Sequence, residues 1–214
     1  MESVRKGKGL SPEYEQDMIA ADVPKRYIDS CKKIKYMFPK AHAAAYVMMA
    51  WRIAYCKIYY PLEYYTAYFS IRATGFSYEL MCFGKEKVER AYMEIKNKSE
   101  ATAKEEDTAR DLRIAQEMYA RGYEFEPIDI YKAQAVRFQV TENKKIMPAL
   151  TSIDGLGESV ARQIVEAAAR GEFISKDDFM NRAKVNKTIC EQMDKLGLLG
   201  NLPQSDQISI FDII

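Results

Sequence analysis

The chain has 214 residues, and its 32 Lys and Arg nearly cancel its 31 Asp and Glu. That balance excludes a globally basic nucleic-acid binder but leaves room for a local basic patch. With 48% hydrophobic residues, the chain is not disordered by composition and can bury a sizeable core, in one large domain or two small ones.

Residues 1–10, MESVRKGKGL, hold no apolar run of the kind a targeting signal needs. Ser11-Pro12-Glu13 predicts a helix start, with Ser as N-cap, Pro at the first helical position and acids in the first turn. Pro24 opens a second helix, with Ile28, Cys31, Ile34 and Phe38 at helical spacing, and Pro39 breaks it. A long helix runs from about residue 41 to about residue 59, where Pro61 prevents continuation. Its weakly charged stretch, residues 41–51, is too short to cross a bilayer and reads as a buried helix; no membrane partner is expected. Pro61 opens the next helix, which ends before Gly75, and a short apolar helix over residues 77–83 ends at Gly84. Residues 85–98 and about 101–121 read as charged amphipathic helices, with Gly122 as a C-cap.

The pattern changes at Tyr123. Phe125, Ile128 and Ile130, then Val136, Phe138 and Val140, alternate as strands do; residues 141–145 form a turn and Pro148 ends the set. From Ala149 to Leu199 the helical period returns, and the last fifteen residues read as a tail. The fold expected is mainly α with a small β element. Four cysteines (Cys31, Cys56, Cys82, Cys190) without a Cys-x-x-Cys pair argue against a zinc finger and read as reduced, buried thiols of a cytoplasmic protein. The single histidine, His42, excludes any site built on two.

Charge is unevenly spread. Residues 1–60 carry 11 basic and 6 acidic side chains, a net of +5, whereas residues 150–214 carry 7 and 10, a net of −3. The start of the chain is therefore suited to meeting phosphate, and the end is not suited to binding DNA by bulk charge.

Residues 150–169 read LTSIDGLGESVARQIVEAAA. Gly155-Leu156-Gly157, preceded by Leu150 and Ile153 and followed by Ala161, Ile164 and Val165, resembles a helix-hairpin-helix, a family of sequence-independent DNA-backbone binders. Two glycines permit a tight turn and close backbone approach, and the N–H groups opening the second helix can bond a phosphate oxygen. Asp154 and Glu158 flank the glycines, so binding would rest on backbone dipoles and be weak alone. A plain glycine-turned helical hairpin is the competing reading. A second helical pair begins at the Ser175 capping box and continues at Asn186; closing the small domain is its simplest role, with Lys184 and Lys187 as further candidate phosphate contacts. In the tail, Gln207-Ile208-Ser209-Ile210-Phe211 resembles the bacterial sliding-clamp-binding pentapeptide, placed after a flexible linker at residues 201–206. Gln207, Ile208, Ile210 and Phe211 are its candidate clamp contacts, the apolar side chains filling a pocket.

Residues 36–46, YMFPKAHAAAY, followed by Arg52-Ile53-Ala54-Tyr55 and Tyr60-Pro61-Leu62-Glu63-Tyr64-Tyr65, resemble the fingers region of the PolC family, the Gram-positive-type replicative DNA polymerase III alpha subunits. Residues 4–9 and 29–35 match the same family, as does the order of the remaining parts. The resemblance implies helical fingers over 1–122, a β connector over 123–148, a duplex-binding helix-hairpin-helix module over 149–200 and a clamp-binding tail over 201–214. It implies a C-terminal fragment of a DNA-directed DNA polymerase, inactive alone. The palm aspartates that hold Mg²⁺ would lie upstream, and this stretch carries no catalytic residue, metal ligand or cofactor of its own. It places Lys40, His42 and Tyr46 near the incoming nucleotide, and Arg5, Lys6, Lys33 and Lys35 as phosphate contacts. The partners implied are double-stranded or primed DNA, the sliding clamp and the polymerase's N-terminal domains. A non-catalytic DNA- and clamp-binding accessory protein is the alternative; it would have no need of a nucleotide-proximal motif.

Overall fold

The structure, a computed structural model, describes residues 2–37 and 40–205. The chain divides into two compact units, Met1–Tyr55 and Cys56–Ile214.

The first unit holds α1 (Glu2–Arg5), α2 (Pro12–Ala20) and α3 (Lys25–Lys33). Helix α2 starts where the sequence predicts, with the Ser11 hydroxyl accepting the Tyr14 N–H at 3.2 Å. An ion pair of 2.6 Å from Lys32 to Glu15 joins α3 to α2. Helix α3 ends earlier than the apolar spacing predicts: Ile34 is already extended. The reason is tertiary. The Met37 N–H donates to the Arg5 carbonyl at 3.2 Å, and at Gly7 (φ +76°) a Cβ would lie 2.3 Å from the Lys35 carbonyl oxygen. Backbone pairing with residues 5–7 thus takes the chain out of the helix. Phe38 and Pro39, the predicted end of that helix, lie outside the described residues.

Helix α4 (Lys40–Tyr59) matches the predicted length but not the predicted burial. None of its residues is buried; Tyr46 is 66% and Trp51 74% exposed, and Val47, Met48, Ile53 and Ile58 are exposed with them. Cys56 is exposed too, while Cys31 and Cys190 are buried as expected; all four cysteines are free.

The second unit begins with α5 (Pro61–Ile71), α6 (Tyr78–Met81), α7 (Lys85–Lys96) and α8 (Ala103–Ala120). Thr102 and Glu105 form a reciprocal capping box at the start of α8. The last turn of α4 is tied to the end of α8: Lys57 pairs with Glu117 at 2.6 Å, and Arg121 donates to the Lys57 carbonyl at 3.0 Å and to the Tyr65 hydroxyl at 3.2 Å. The predicted stripes of α7 and α8 supply Val88, Leu112, Ala115 and Met118 to a core shared with Tyr65 and Phe69. Phe69, Phe76, Phe125 and Phe138 pack edge to face or tilted, with centroids 4.9 to 6.4 Å apart. Of the tyrosines between residues 55 and 68, Tyr65 is buried and Tyr64 and Tyr68 pack against this core, whereas Tyr55, Tyr59 and Tyr60 are exposed. Asp111 is buried within α8 and accepts from the Gly75 N–H at 2.8 Å and the Tyr68 hydroxyl at 3.0 Å. Burial pushes its carboxyl pKa up, and the two hydrogen bonds oppose that shift.

The β element is smaller than predicted. Strands β1 (Gln139–Val140) and β2 (Ile146–Met147) pair antiparallel, Gln139 opposite Met147 and Val140 opposite Ile146, around the expected turn. The first predicted strand contributes one bridge, Phe125 to Ile146. Pro127 has no N–H to give a ladder, and the Asp129 carboxylate takes the Tyr131 N–H at 2.9 Å in an Asx turn. Ile128 and Ile130 are nevertheless buried, so the apolar alternation reported burial rather than strand.

Beyond the sheet, one 3-10 turn (Leu150–Ser152) precedes α9 (Glu158–Ala168), α10 (Lys176–Ala183) and α11 (Lys187–Lys195). Leu150, Ile153, Leu156, Ile164, Phe179 and Met193 form the heart of a second core. Residues 201–204, predicted to be a flexible linker, are fastened to α10 through backbone hydrogen bonds from Lys176 and Asp177. No helix among the described residues is long and apolar enough to cross a membrane.

Gly75 is the tightest point of the helical core, because a Cβ there would stand 2.3 Å from the Thr108 nitrogen. Gly75→Ala is expected to destabilise the fold by about 2–4 kcal/mol in urea unfolding, as overpacking against backbone does, whereas Lys85→Ala on the exposed face stays within about 0.5 kcal/mol.

Candidate nucleic-acid interface

The glycine hairpin is built as its residue types require. Gly155 lies at φ +81°, in the left-handed region that favours glycine. Leu156 is 5% exposed and packs into the second core, while its N–H is taken by the Ile153 carbonyl at 3.1 Å. Gly157 is the N-cap of α9, extended at φ −74°, ψ 156°, and among the described residues no side chain caps that helix. The first-turn N–H groups of α9 are therefore left to an outside acceptor, with the positive end of the helix dipole behind them. The element before the hairpin is shorter than a helix-hairpin-helix leads one to expect, a single 3-10 turn closed by the Ser152 hydroxyl donating to the Ala149 carbonyl at 2.6 Å.

The two acids that flank the glycines are engaged. The Ser77 hydroxyl donates to Asp154 at 2.8 Å, and Arg162 pairs with Glu158 at 2.6 Å. Their charge thus weighs less against an incoming phosphate than the bare sequence suggests.

The second helical pair repeats the geometry of the first. Lys184 is left-handed (φ 54°, ψ 35°), Val185 is buried, and Asn186 is an extended N-cap (φ −76°, ψ 163°) opening α11. Left-handed residue, buried aliphatic, extended cap and helix follow one another as they do at Gly155-Leu156-Gly157. The Asn186 side chain accepts the Ile189 N–H at 2.9 Å, which leaves the first two N–H groups of α11 for an outside acceptor. Lys184 and Lys187 are exposed beside this second hairpin, Lys187 standing 3.8 Å from Glu191. The repeat is hidden in the sequence because lysine and asparagine occupy the two glycine positions; the signal that marks it is Val185 between a residue tolerating a left-handed backbone and a capping residue.

Arg182 holds the two halves together. Its guanidinium donates to the carbonyls of Ala167 at 2.7 Å, Gly171 at 2.8 Å and Glu172 at 2.9 Å, pairs with Asp178 at 3.0 Å, and lies 4.6 Å from the Phe173 ring centroid. It so satisfies the carbonyl end of α9 from within α10.

In the first unit, Arg5 and Lys6 pair with Glu2 at 2.7 and 3.1 Å, and the hydrogen bond from Arg5 chiefly holds the Glu2 carboxyl down at about 2. Lys33 and Lys35 are exposed, and the Gly7–Lys35 approach brings Lys35 beside residues 5–7. Lys40 opens α4; His42 and Tyr46, one turn apart, have ring centroids 4.5 Å apart. Gln207, Ile208, Ile210 and Phe211 lie outside the described residues. Among the described residues no three His, Cys, Asp or Glu are gathered to hold a metal ion.

A family model described as a helix-hairpin-helix motif matches residues 122–207. The chain is 51% identical to a protein named DNA polymerase III PolC-type from Listeria monocytogenes, 48% identical to that of Bacillus subtilis and 46% to that of Caldanaerobacter subterraneus subsp. tengcongensis. Each match covers 99% of this chain and 15% of the relative. The resemblance to PolC read from the sequence, and the helix-hairpin-helix within it, are borne out.

Removing the Arg182 guanidinium takes a donor from three carbonyls and the Asp178 carboxylate, of which Ala167 and Asp178 keep the N–H groups of Arg170 and Ile174. Arg182→Ala is expected to destabilise the second unit by about 2–3 kcal/mol in chemical unfolding, and Arg182→Lys to recover only part of that, because an ammonium cannot span the same fork.

Proposed function

We propose that this chain, homologous along 99% of its length to PolC-type DNA polymerase III, supplies three services to a cytoplasmic bacterial replicative DNA polymerase. It grips duplex DNA, shapes the approach to the incoming nucleotide and binds the sliding clamp. It spans 15% of its relatives' length, and DNA-directed DNA synthesis with Mg²⁺ belongs to the whole enzyme.

The observation that carries the reading is the pair of matching hairpins, each ending in a helix whose first N–H groups are unfilled. Backbone N–H groups at a helix start recognise a phosphate oxygen without reading a base, which suits an enzyme that must hold any sequence. Two such points spaced on one rigid module grip a duplex backbone better than either alone. Lys184 and Lys187 add charge beside the second hairpin. In the first unit, Lys40, His42 and Tyr46 stand in the opening turns of a twenty-residue helix, where the helix dipole favours a triphosphate. Arg5, Lys6, Lys33 and Lys35 supply positive charge nearby in the chain. The exposed apolar surface of α4 is the face we assign to packing against the polymerase's other domains.

The duplex reading is tested by anisotropy titrations at several salt concentrations. The Lys184→Glu, Lys187→Glu double variant is expected to bind duplexes of unrelated sequence uniformly more weakly, with the salt slope reduced by about 1–2. A loss confined to one sequence, or none at all, would contradict it. For the tail, a peptide of residues 201–214 is expected to bind the bacterial clamp in calorimetry, and Phe211→Ala to lose most of that affinity.

A further inference from the structure

The segment leading from the hairpin module into the tail is fixed to the module. Leu202 packs on the second core, and its N–H donates to the Leu199 carbonyl at 3.3 Å. The carbonyls of Pro203 and Gln204 accept the N–H groups of Lys176 and Asp177, the first two residues of α10, at 2.9 and 3.1 Å. The Gln204 side-chain amide donates to Asp177 at 3.2 Å, and the Ser175 hydroxyl takes the Asp178 N–H at 3.0 Å. Lys176 is itself braced to Asp194 of α11 by an ion pair of 2.7 Å. The start of α10 is therefore closed by the chain's own carbonyls and its own serine, in contrast to the starts of α9 and α11. Asp177-Asp178, which look from sequence like an ordinary acidic first turn, are half of this fastening.

We infer that Leu202, Pro203 and Gln204 are an anchor that fixes the root of the tail on α10, so that a clamp bound by the tail is held at a short, set distance from duplex bound by the hairpins. The inference rests on the clamp-binding reading of residues 207–211. Only residues 205 and 206 separate the anchor from Gln207, and three extended steps reach about 10 Å at most. Without the anchor, the free length would run back to Leu199, which is buried in the second core. Effective concentration is greatest when a tether matches the span it must bridge, and then falls roughly as the −3/2 power of its length. A tether this short makes the duplex and the clamp two ends of one bivalent contact.

Two measurements on the full chain test this. Hydrogen exchange is expected to show the Lys176 and Asp177 amides protected to the same degree as the interior of α10; free exchange at both would overturn the anchor. A twelve-residue Gly/Ser insertion after Ser205 lengthens the tether from three steps to fifteen and leaves the module untouched. It is expected to leave affinity for free clamp unchanged while weakening affinity for clamp loaded on duplex DNA roughly 10-fold. Equal affinity of both forms for the loaded clamp, or tighter binding by the insertion variant, would overturn the inference alone. Failure of the unmodified chain to bind free clamp would overturn the clamp reading and the inference with it.

Discussion

Four residues, α6, join the two cores of the second unit. Tyr78 is buried in the hairpin core and Met81, three positions later on the same short helix, is buried in the helical core. The residues on either side add polar fastenings: Ser77 to Asp154 beside the first hairpin, and Glu79 accepting from Gln192 of α11 at 3.2 Å. The Tyr78 hydroxyl receives the Ile128 N–H at 3.4 Å, and the Tyr119 hydroxyl of α8 donates to the Met81 carbonyl at 2.8 Å. A helix of this length has no stability of its own. It persists because each of its faces is held by a different core, and it ties the two cores together, as β2 does with Ile146 in one and Met147 in the other. A backbone-gripping site needs that rigidity, since helix N-termini bind a phosphate only when placed to within a fraction of an ångström.

The polar logic of the hairpin module is a division among three helix starts. A helix N-terminus presents unfilled N–H groups and partial positive charge wherever it occurs. Here α10 is closed by Ser175 and the carbonyls of residues 203 and 204, α11 is half closed by Asn186, and α9, opening on a glycine, has no side-chain cap at all. The helix starts that remain available are the two that follow a left-handed residue and a buried aliphatic. The module's net negative charge is then no obstacle in itself, because the attraction is local and dipolar and the flanking acids are drawn to Ser77 and Arg162.

Much of this was legible in the sequence wherever a residue type has one physical use. Ser11-Pro12, Ser175 and Asn186 announce helix starts, and glycines at 84, 122 and 155 stand at positive φ at turns or helix ends. What stayed hidden depended on tertiary pairing. Beyond the end of helix α3, Met37 bonds the Arg5 carbonyl and Lys35 closely approaches Gly7, contacts that no local spacing records. Ile128 and Ile130 are buried without a strand because Pro127 and Asp129 impose turns on an alternating apolar pattern. The second helical pair is legible in the sequence, but its match to the first hairpin is not, because its geometry is carried by Lys184, Val185 and Asn186, where side-chain identity is a weak guide to backbone conformation. The anchoring of residues 203 and 204 uses backbone carbonyls alone, which every sequence has.

Helix α4 shows the opposite failure, and the reason is instructive. Its weakly charged run over residues 41–51, too short to cross a bilayer, reads from sequence as buried. Trp51, Tyr46 and their neighbours are exposed. Scattered surface apolar residues need no explanation, but a continuous exposed apolar helix calls for a partner surface. With the chain spanning 15% of its relatives, the covering proposed is the remainder of the polymerase. The side chains proposed to face the nucleotide then stand on the very helix whose burial would complete the enzyme, which ties the order of the nucleotide site to assembly rather than to this chain's own core.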